Sequence, residues 1–154
     1  SQTGHLVLST LHTNSAAETV IRLSNMGVES YNLASSLNLI IAQRLARKLC
    51  PYCRQPQEPS TQLQHIGITS TEQIFQANPD GCNECTHGYS GRTGIYEVMK
   101  FDESLSEALI KGASVHELEK LAIANGMQTL QMSGIEKLKQ GITSFSELQR
   151  VLYF

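Results

Sequence analysis

Apolar and polar positions along this chain follow more than one rhythm, and each rhythm predicts its own kind of element. The first apolar run, Leu6-Val7-Leu8, is unbroken and predicts a strand buried on both faces, as in a parallel sheet. No partner strand of that type precedes it, so the chain reads as a C-terminal fragment of a longer protein. After the polar turn Ser9–Asn14, Ser15-x-x-Glu18 has the form of a capping box. It predicts a helix over 16–26 that buries Val20 and Leu23 and stops at Gly27. Ser30 is placed to cap a second helix, which carries Leu33, Leu37, Ile40, Ile41 and Leu45 at mostly three- and four-residue steps. Arg44, Arg47 and Lys48 fall in its last turns, where cations complement the helix dipole, and Pro51 ends it.

From 54 to 69 the chain is rich in Pro and Gln and reads as loop. Ser70-x-x-Gln73 predicts one short helix through Ala77, closed before Pro79. Gly88-Tyr89-Ser90-Gly91 is a tight turn leading into a strand over 92–99 with Ile95, Tyr96 and Val98. The rest is helical, with helices expected near 103–111, 115–125, 129–140 and 145–152. Ser104-x-x-Glu107, Ser114-x-x-Glu117 and Ser144-x-x-Glu147 mark helix starts, and Gly112, Gly126 and Gly141 mark stops. These helices do not repeat at a fixed period, so this is a small helical subdomain and not a solenoid.

Composition changes the picture little. The 154 residues suffice for one domain or two small ones, and 40% hydrophobic content is ordinary for a globular chain. A formal charge of −2 and 6% aromatic residues give no case for nucleic acid, although Arg44, Arg47, Lys48 and Arg54 form a local basic cluster. The apolar runs are far too short to cross a bilayer, and no targeting peptide is visible.

The four cysteines add the most. They form Cys50-x2-Cys53 and Cys82-x2-Cys85, separated by 28 residues. Two matched clasps supply four thiolates, the shell of a closed, structural zinc site. Two disulfides or a redox dithiol are the competing readings; the first staples little chain, and the second needs one CxxC beside a βαβ pattern. His87 could replace a cysteine as ligand, but four sulfurs already complete the shell. Metal-spaced cysteines without an export signal point to the cytoplasm.

There is no phosphate loop: Gly88–Gly94 lacks a lysine in position and leads into a strand, so no helix amides face an anion there. The polar cluster Ser9, Thr10, His12, Thr13 and Asn14 follows the first predicted strand. In open α/β sheets ligands bind beyond such strand ends, where a histidine can bond a phosphate or orient a neighbouring group.

The run 3–14, Thr-Gly-His-Leu-Val-Leu-Ser-Thr-Leu-His-Thr-Asn, resembles the histidine box of bacterial secretion and pilus-motor ATPases. Gln43-Arg44-Leu45, the two clasps and Gly88-Tyr89-x-Gly91-Arg92-Thr93-Gly94-Ile95-Tyr96-Glu97 continue the likeness in order. Together they resemble the C-terminal part of the assembly ATPases of type IV pili and type II secretion, over essentially the whole chain. The resemblance implies an α+β, mainly helical fragment. Residues 1–49 would be the tail of a RecA-like α/β ATPase core, 50–99 an inserted tetracysteine zinc subdomain, and 100–154 a C-terminal helical subdomain. It implies that His12, supported by Thr10 and Thr13, belongs to the nucleotide site, and that Cys50, Cys53, Cys82 and Cys85 bind structural zinc. It further implies ATP and Mg in the full-length protein, a homo-hexamer, an inner-membrane platform protein as partner, and a cytoplasmic place against the inner membrane. The family's phosphate loop lies upstream of these motifs, so the fragment is expected to be inactive alone. A non-enzymatic, zinc-stabilised docking module is the alternative of a different class.

Overall fold

The computed structural model describes residues 4–58, 60–69 and 71–152. In chain order they form α1 (Ala16–Asn25), α2 (Ser30–Ser36), β1 (Leu39–Leu49), β2 (Gln55–Gln57), α3 (Thr61–His65), β3 (Ile74–Gln76), β4 (Tyr89–Lys100), α4 (Glu103–Ile110), α5 (Val115–Ala124), α6 (Leu130–Lys139) and α7 (Phe145–Val151). Two ladders are present, β1 with β4 and β2 with β3. The Phe101 amide bonds the Asn38 carbonyl, and the Cys50 amide bonds the Gly88 carbonyl. Each bond joins the start of one long strand to the end of the other, so β1 and β4 run antiparallel.

The chain divides into two compact units, Ser1–Ala42 with Tyr96–Thr129 and Gln43–Ile95 with Leu130–Phe154. The core of the first is built from α1, α2, α4 and α5, through Val20, Leu33, Leu105, Leu109 and Leu118. A long-range contact sets the start of α1: the amide of Ala16 donates to the buried carboxylate of Glu97 on β4, at 2.7 Å. An acceptor with carboxylate character is favourable there because the first-turn amides have no helical partners. Ser15 caps the same helix by accepting from the Glu18 amide, while the Glu18 carboxylate reaches back to Asn14.

The second unit buries Leu63, Ile68, Ile74, Ile95, Leu138 and Leu148. Strands β2 and β3 pair antiparallel, with Pro56 opposite Phe75. Helices α6 and α7 approach closely at Gly134, where a Cβ would stand 2.8 Å from Leu152 Cδ1 and 3.2 Å from Leu148 Cδ2.

The four C-terminal helices and the strand through Ile95 and Val98 fall where the pattern puts them. Six expectations are overturned. Leu6–Leu8 is not a strand and is exposed, because no strand among the described residues lies alongside to take its backbone bonds. The helix expected from Ser30 to Pro51 ends at Ser36, and Leu39–Leu49 is a strand whose burial alternates through Ile40 and Ala42. Arg44, Arg47 and Lys48 therefore lie on a strand, and the first cysteine clasp is mounted on a strand end. Ser30 is the first helical residue; Glu29 precedes it and makes no side-chain cap. The 54–69 loop contains β2 and α3, and the short helix expected before Ala77 is strand β3 (its proposed cap, Ser70, lies outside the described residues). Ser104 is not a cap either: Asp102 accepts from the Leu105 amide and starts α4.

Candidate functional site

The two CxxC clasps meet. Cys50 leaves β1 as the strand ends, and Cys53 follows after a short turn; Cys82 and Cys85 precede β4. All four thiols are free, and their sulfurs lie within 4.8 Å of one another. The Cys50–Cys82, Cys53–Cys85 and Cys82–Cys85 sulfur pairs are 3.7, 3.6 and 3.6 Å apart. A tetrahedron with metal–sulfur bonds of about 2.3 Å has edges of about 3.8 Å. The cluster therefore has the size of a four-thiolate metal shell, far wider than a disulfide at about 2.05 Å.

Local backbone geometry holds the clasps in this position. The Cys50 amide donates to the Gly88 carbonyl at 2.8 Å, and the Cys82 amide donates to Cys85 Sγ at 3.2 Å. Gly88 has φ +78, and a Cβ there would lie 2.6 Å from the Asn78 nitrogen and oxygen, so only glycine fits. His87 takes φ +49 and its Nδ1 donates to the Pro79 carbonyl at 3.2 Å. That bond ties the imidazole to the loop, and the metal-sized cluster consists of the four sulfurs without it.

With protons in place, the cluster is electrostatically uneven. Burial would raise the Cys85 thiol, but the Cys82 amide and the Cys53 and Cys82 thiols outweigh it and lower Cys85 to about 7. Burial, followed by bonds to its three neighbours, pushes Cys53 up to about 12. Sulfurs this close would repel one another as bare thiolates. A cation that accepts all four sulfurs as thiolates relieves that repulsion.

The polar turn before α1 is arranged differently. Thr10 and His12 are exposed and Thr13 is half-buried. Arg22 donates to the His12 carbonyl at 3.1 Å, and the Thr13 and Thr19 hydroxyls share a bond of 2.7 Å. Thr19 also donates to the Ser15 carbonyl. The turn is thus tied to α1 at the His12 carbonyl and at the Thr13 side chain.

A model of the family described as Type II/IV secretion system protein matches residues 1–150. The chain belongs to that family. The type IV pilus assembly ATPases PilB of Acinetobacter baylyi and Pseudomonas aeruginosa are both 49% identical to it, over 98% of this chain and 27% of their own length. The type II secretion system ATPase E of Vibrio cholerae is 41% identical, over 98% of this chain and 30% of its own. The solved structure of the Legionella pneumophila ATPase DotB superposes with a TM-score of 0.60 at 20% identity, covering 97% of this chain and 32% of that one. At that identity the likeness speaks for the fold alone. The chain thus spans under a third of the length of each of these proteins, and the likeness runs through nearly all of its own.

One long-range contact escapes sequence reasoning. Glu147 was expected to be a helix cap residue, and its amide does donate to Ser144, yet its carboxylate is turned inward to Arg47 and Arg150. Nothing in the local sequence signals Arg47, which lies 100 positions away.

Proposed function

We propose that this chain is part of a cytoplasmic motor ATPase that couples ATP hydrolysis to type IV pilus assembly. In this reading residues 1–49 end a RecA-like core, Cys50, Cys53, Cys82 and Cys85 hold a structural zinc, and 100–154 form a helical subdomain. The observation that carries it is the continuous likeness to PilB, 49% identical from the histidine turn through the tetracysteine cluster. Type II secretion is the second reading, supported by the 41% identity to ATPase E.

Zinc fits the four sulfurs by ligand type, number and spacing, and bound there it would supply cross-links that tie the β1 end to the loop before β4. His12 would contact the γ-phosphate region of a nucleotide bound by upstream segments, with Thr10 and Thr13 in support. Such sites work by positioning and by charge stabilisation, and a single histidine cannot perform them alone. The full-length protein would bind ATP and Mg, form a homo-hexamer, and act against an inner-membrane platform protein.

Two measurements test this reading. Protein purified without added metal should carry one zinc per chain; metal-free protein with an unchanged melting curve would overturn the zinc assignment. In the full-length protein, His12→Ala should lower kcat by about 100-fold, in the range for loss of one transition-state donor. The 154-residue chain alone should hydrolyse no ATP, and steady hydrolysis by it, abolished by His12→Ala, is the contrary result. Restoration of pili, and not of secretion, in deletion strains separates the two machines.

A further inference from the structure

Three arginines of the unit Gln43–Ile95 with Leu130–Phe154 converge on one open cavity. It measures about 470 Å³ and is lined by Leu45, Arg47, Arg92 and Arg150. The chain as a whole carries a formal charge of −2, so general basicity does not explain this convergence.

Two of the three guanidinium groups are fixed in place. Arg47 donates through Nε and Nη2 to Glu147 Oε2 at 2.9 and 2.7 Å. Arg150 donates to the same carboxylate, through Nε to Oε2 at 2.9 Å and through Nη2 to Oε1 at 2.6 Å. The Glu147 side chain is wholly buried, while Arg47 and Arg150 keep 43% and 56% of theirs exposed. Tyr89 lies under Arg47, 4.0 Å from guanidinium carbon to ring centroid, and the Tyr89 hydroxyl bonds Ser144 at 2.6 Å. Thr143 donates to the Arg47 carbonyl at 2.9 Å. Each fork therefore has one committed edge and keeps its Nη1 group without a partner among the described residues.

Arg92 has no part in this network. It is exposed and its side chain makes no hydrogen bond or ion pair with the described residues, yet it lines the same cavity. A structural role for Glu147 accounts for Arg47 and Arg150 but leaves Arg92 unexplained. One carboxylate is shared between Arg47 and Arg150, and Arg92 adds a third positive charge to the cavity, so the site keeps a positive excess.

We propose that this cavity binds a phosphate group, carried as free pyrophosphate or on a nucleotide. A carboxylate offers two oxygens in one plane, which a single arginine fork satisfies. Phosphate offers oxygens in several directions and up to two negative charges, which suits three forks around one cavity. Leu45 supplies an apolar flank for the group that carries the phosphate. This site shares no residue with the His12 turn and does not depend on the motor assignment.

The test is a calorimetric titration of the 154-residue chain with pyrophosphate and with ADP at low salt, with bound metal followed throughout so that chelation is not counted. Pyrophosphate should bind, shift the arginine Nε–H resonances of Arg47, Arg92 and Arg150, and lose affinity as salt rises. Arg92→Gln should weaken binding about tenfold without moving the melting temperature, and Arg92→Lys should recover part of the loss. ADP binding as tightly as pyrophosphate identifies a nucleotide as carrier; pyrophosphate binding without ADP identifies the free anion. No heat with either ligand at millimolar concentration, or an affinity unchanged by Arg92→Gln, overturns the proposal.

Discussion

Glu147 shows what a single side chain does in this protein. Burial would raise its pKa, but hydrogen bonds from Arg150 and Arg47 and from the Arg47 amide hold it at about 2, against 4.5 ordinarily. Its folded value is depressed, so its contribution to stability is present above about pH 4.5 and is lost as pH falls toward 2. Both arginines are about half-exposed, and solvent screening reduces that contribution to roughly 2 kcal/mol. Urea melts between pH 2 and 6 should show this loss, and Glu147→Gln should remove both the stability and its pH dependence. Gly88 is the opposite case, a residue that matters for the atom it lacks. Gly88→Ala is strained by its φ and collides with Asn78, and should cost about 2 kcal/mol while speeding metal release to a thiol-modifying reagent.

At the scale of elements, the helix starts divide by what their side chains reach. Ser114 and Glu117 exchange bonds in a full capping box, the Glu117 carboxylate accepting from the Ser114 amide at 2.8 Å. Ser114→Ala should therefore cost about 1 kcal/mol in thermal melts. Asp102 caps α4 and also accepts from Asn125 at 2.9 Å, so Asp102→Ala should cost at least as much. Ser104→Ala, at the position whose spacing imitates a cap, should be milder, since the Leu105 amide keeps its partner. Strand β1 is the larger lesson. Its apolar residues fit a three- and four-residue helical stepping, and Ala, Gln, Leu and Lys are good helix formers. Pairing with β4 overrides that preference, burying Ile40, Ala42 and Ala46 and leaving Leu39, Ile41 and Leu45 about half-exposed.

At the scale of the molecule, each compact unit has its own apolar core, and the four-sulfur cluster lies in the unit Gln43–Ile95 with Leu130–Phe154. Short pieces such as β2, β3 and α3 bury little surface of their own, so a metal cross-link there should contribute heavily to order. Chelation should abolish hydrogen-exchange protection of the Cys50 amide, which bonds Gly88, and should lower the melting temperature of the chain. Protection at Cys50 unchanged after complete metal removal would show that the protein scaffold holds the clasps without help.

Much of the candidate site was legible because its signals are local. Two CxxC clasps announce a four-sulfur cluster by spacing alone, since each brings two sulfurs to one point. The C-terminal helices were legible for the same reason: caps, glycine stops and a short period are properties of neighbouring residues. The likeness to the secretion motors was legible from the order of the motifs, beginning at the histidine turn. Tertiary structure alone decided what distant residues do to one another. It made 39–49 a strand, brought Glu97 to the start of α1, turned Glu147 from a cap toward Arg47, and left Leu6–Leu8 exposed. Strand pairing and buried ion pairs join positions up to 100 apart, and no local pattern encodes which partner will arrive.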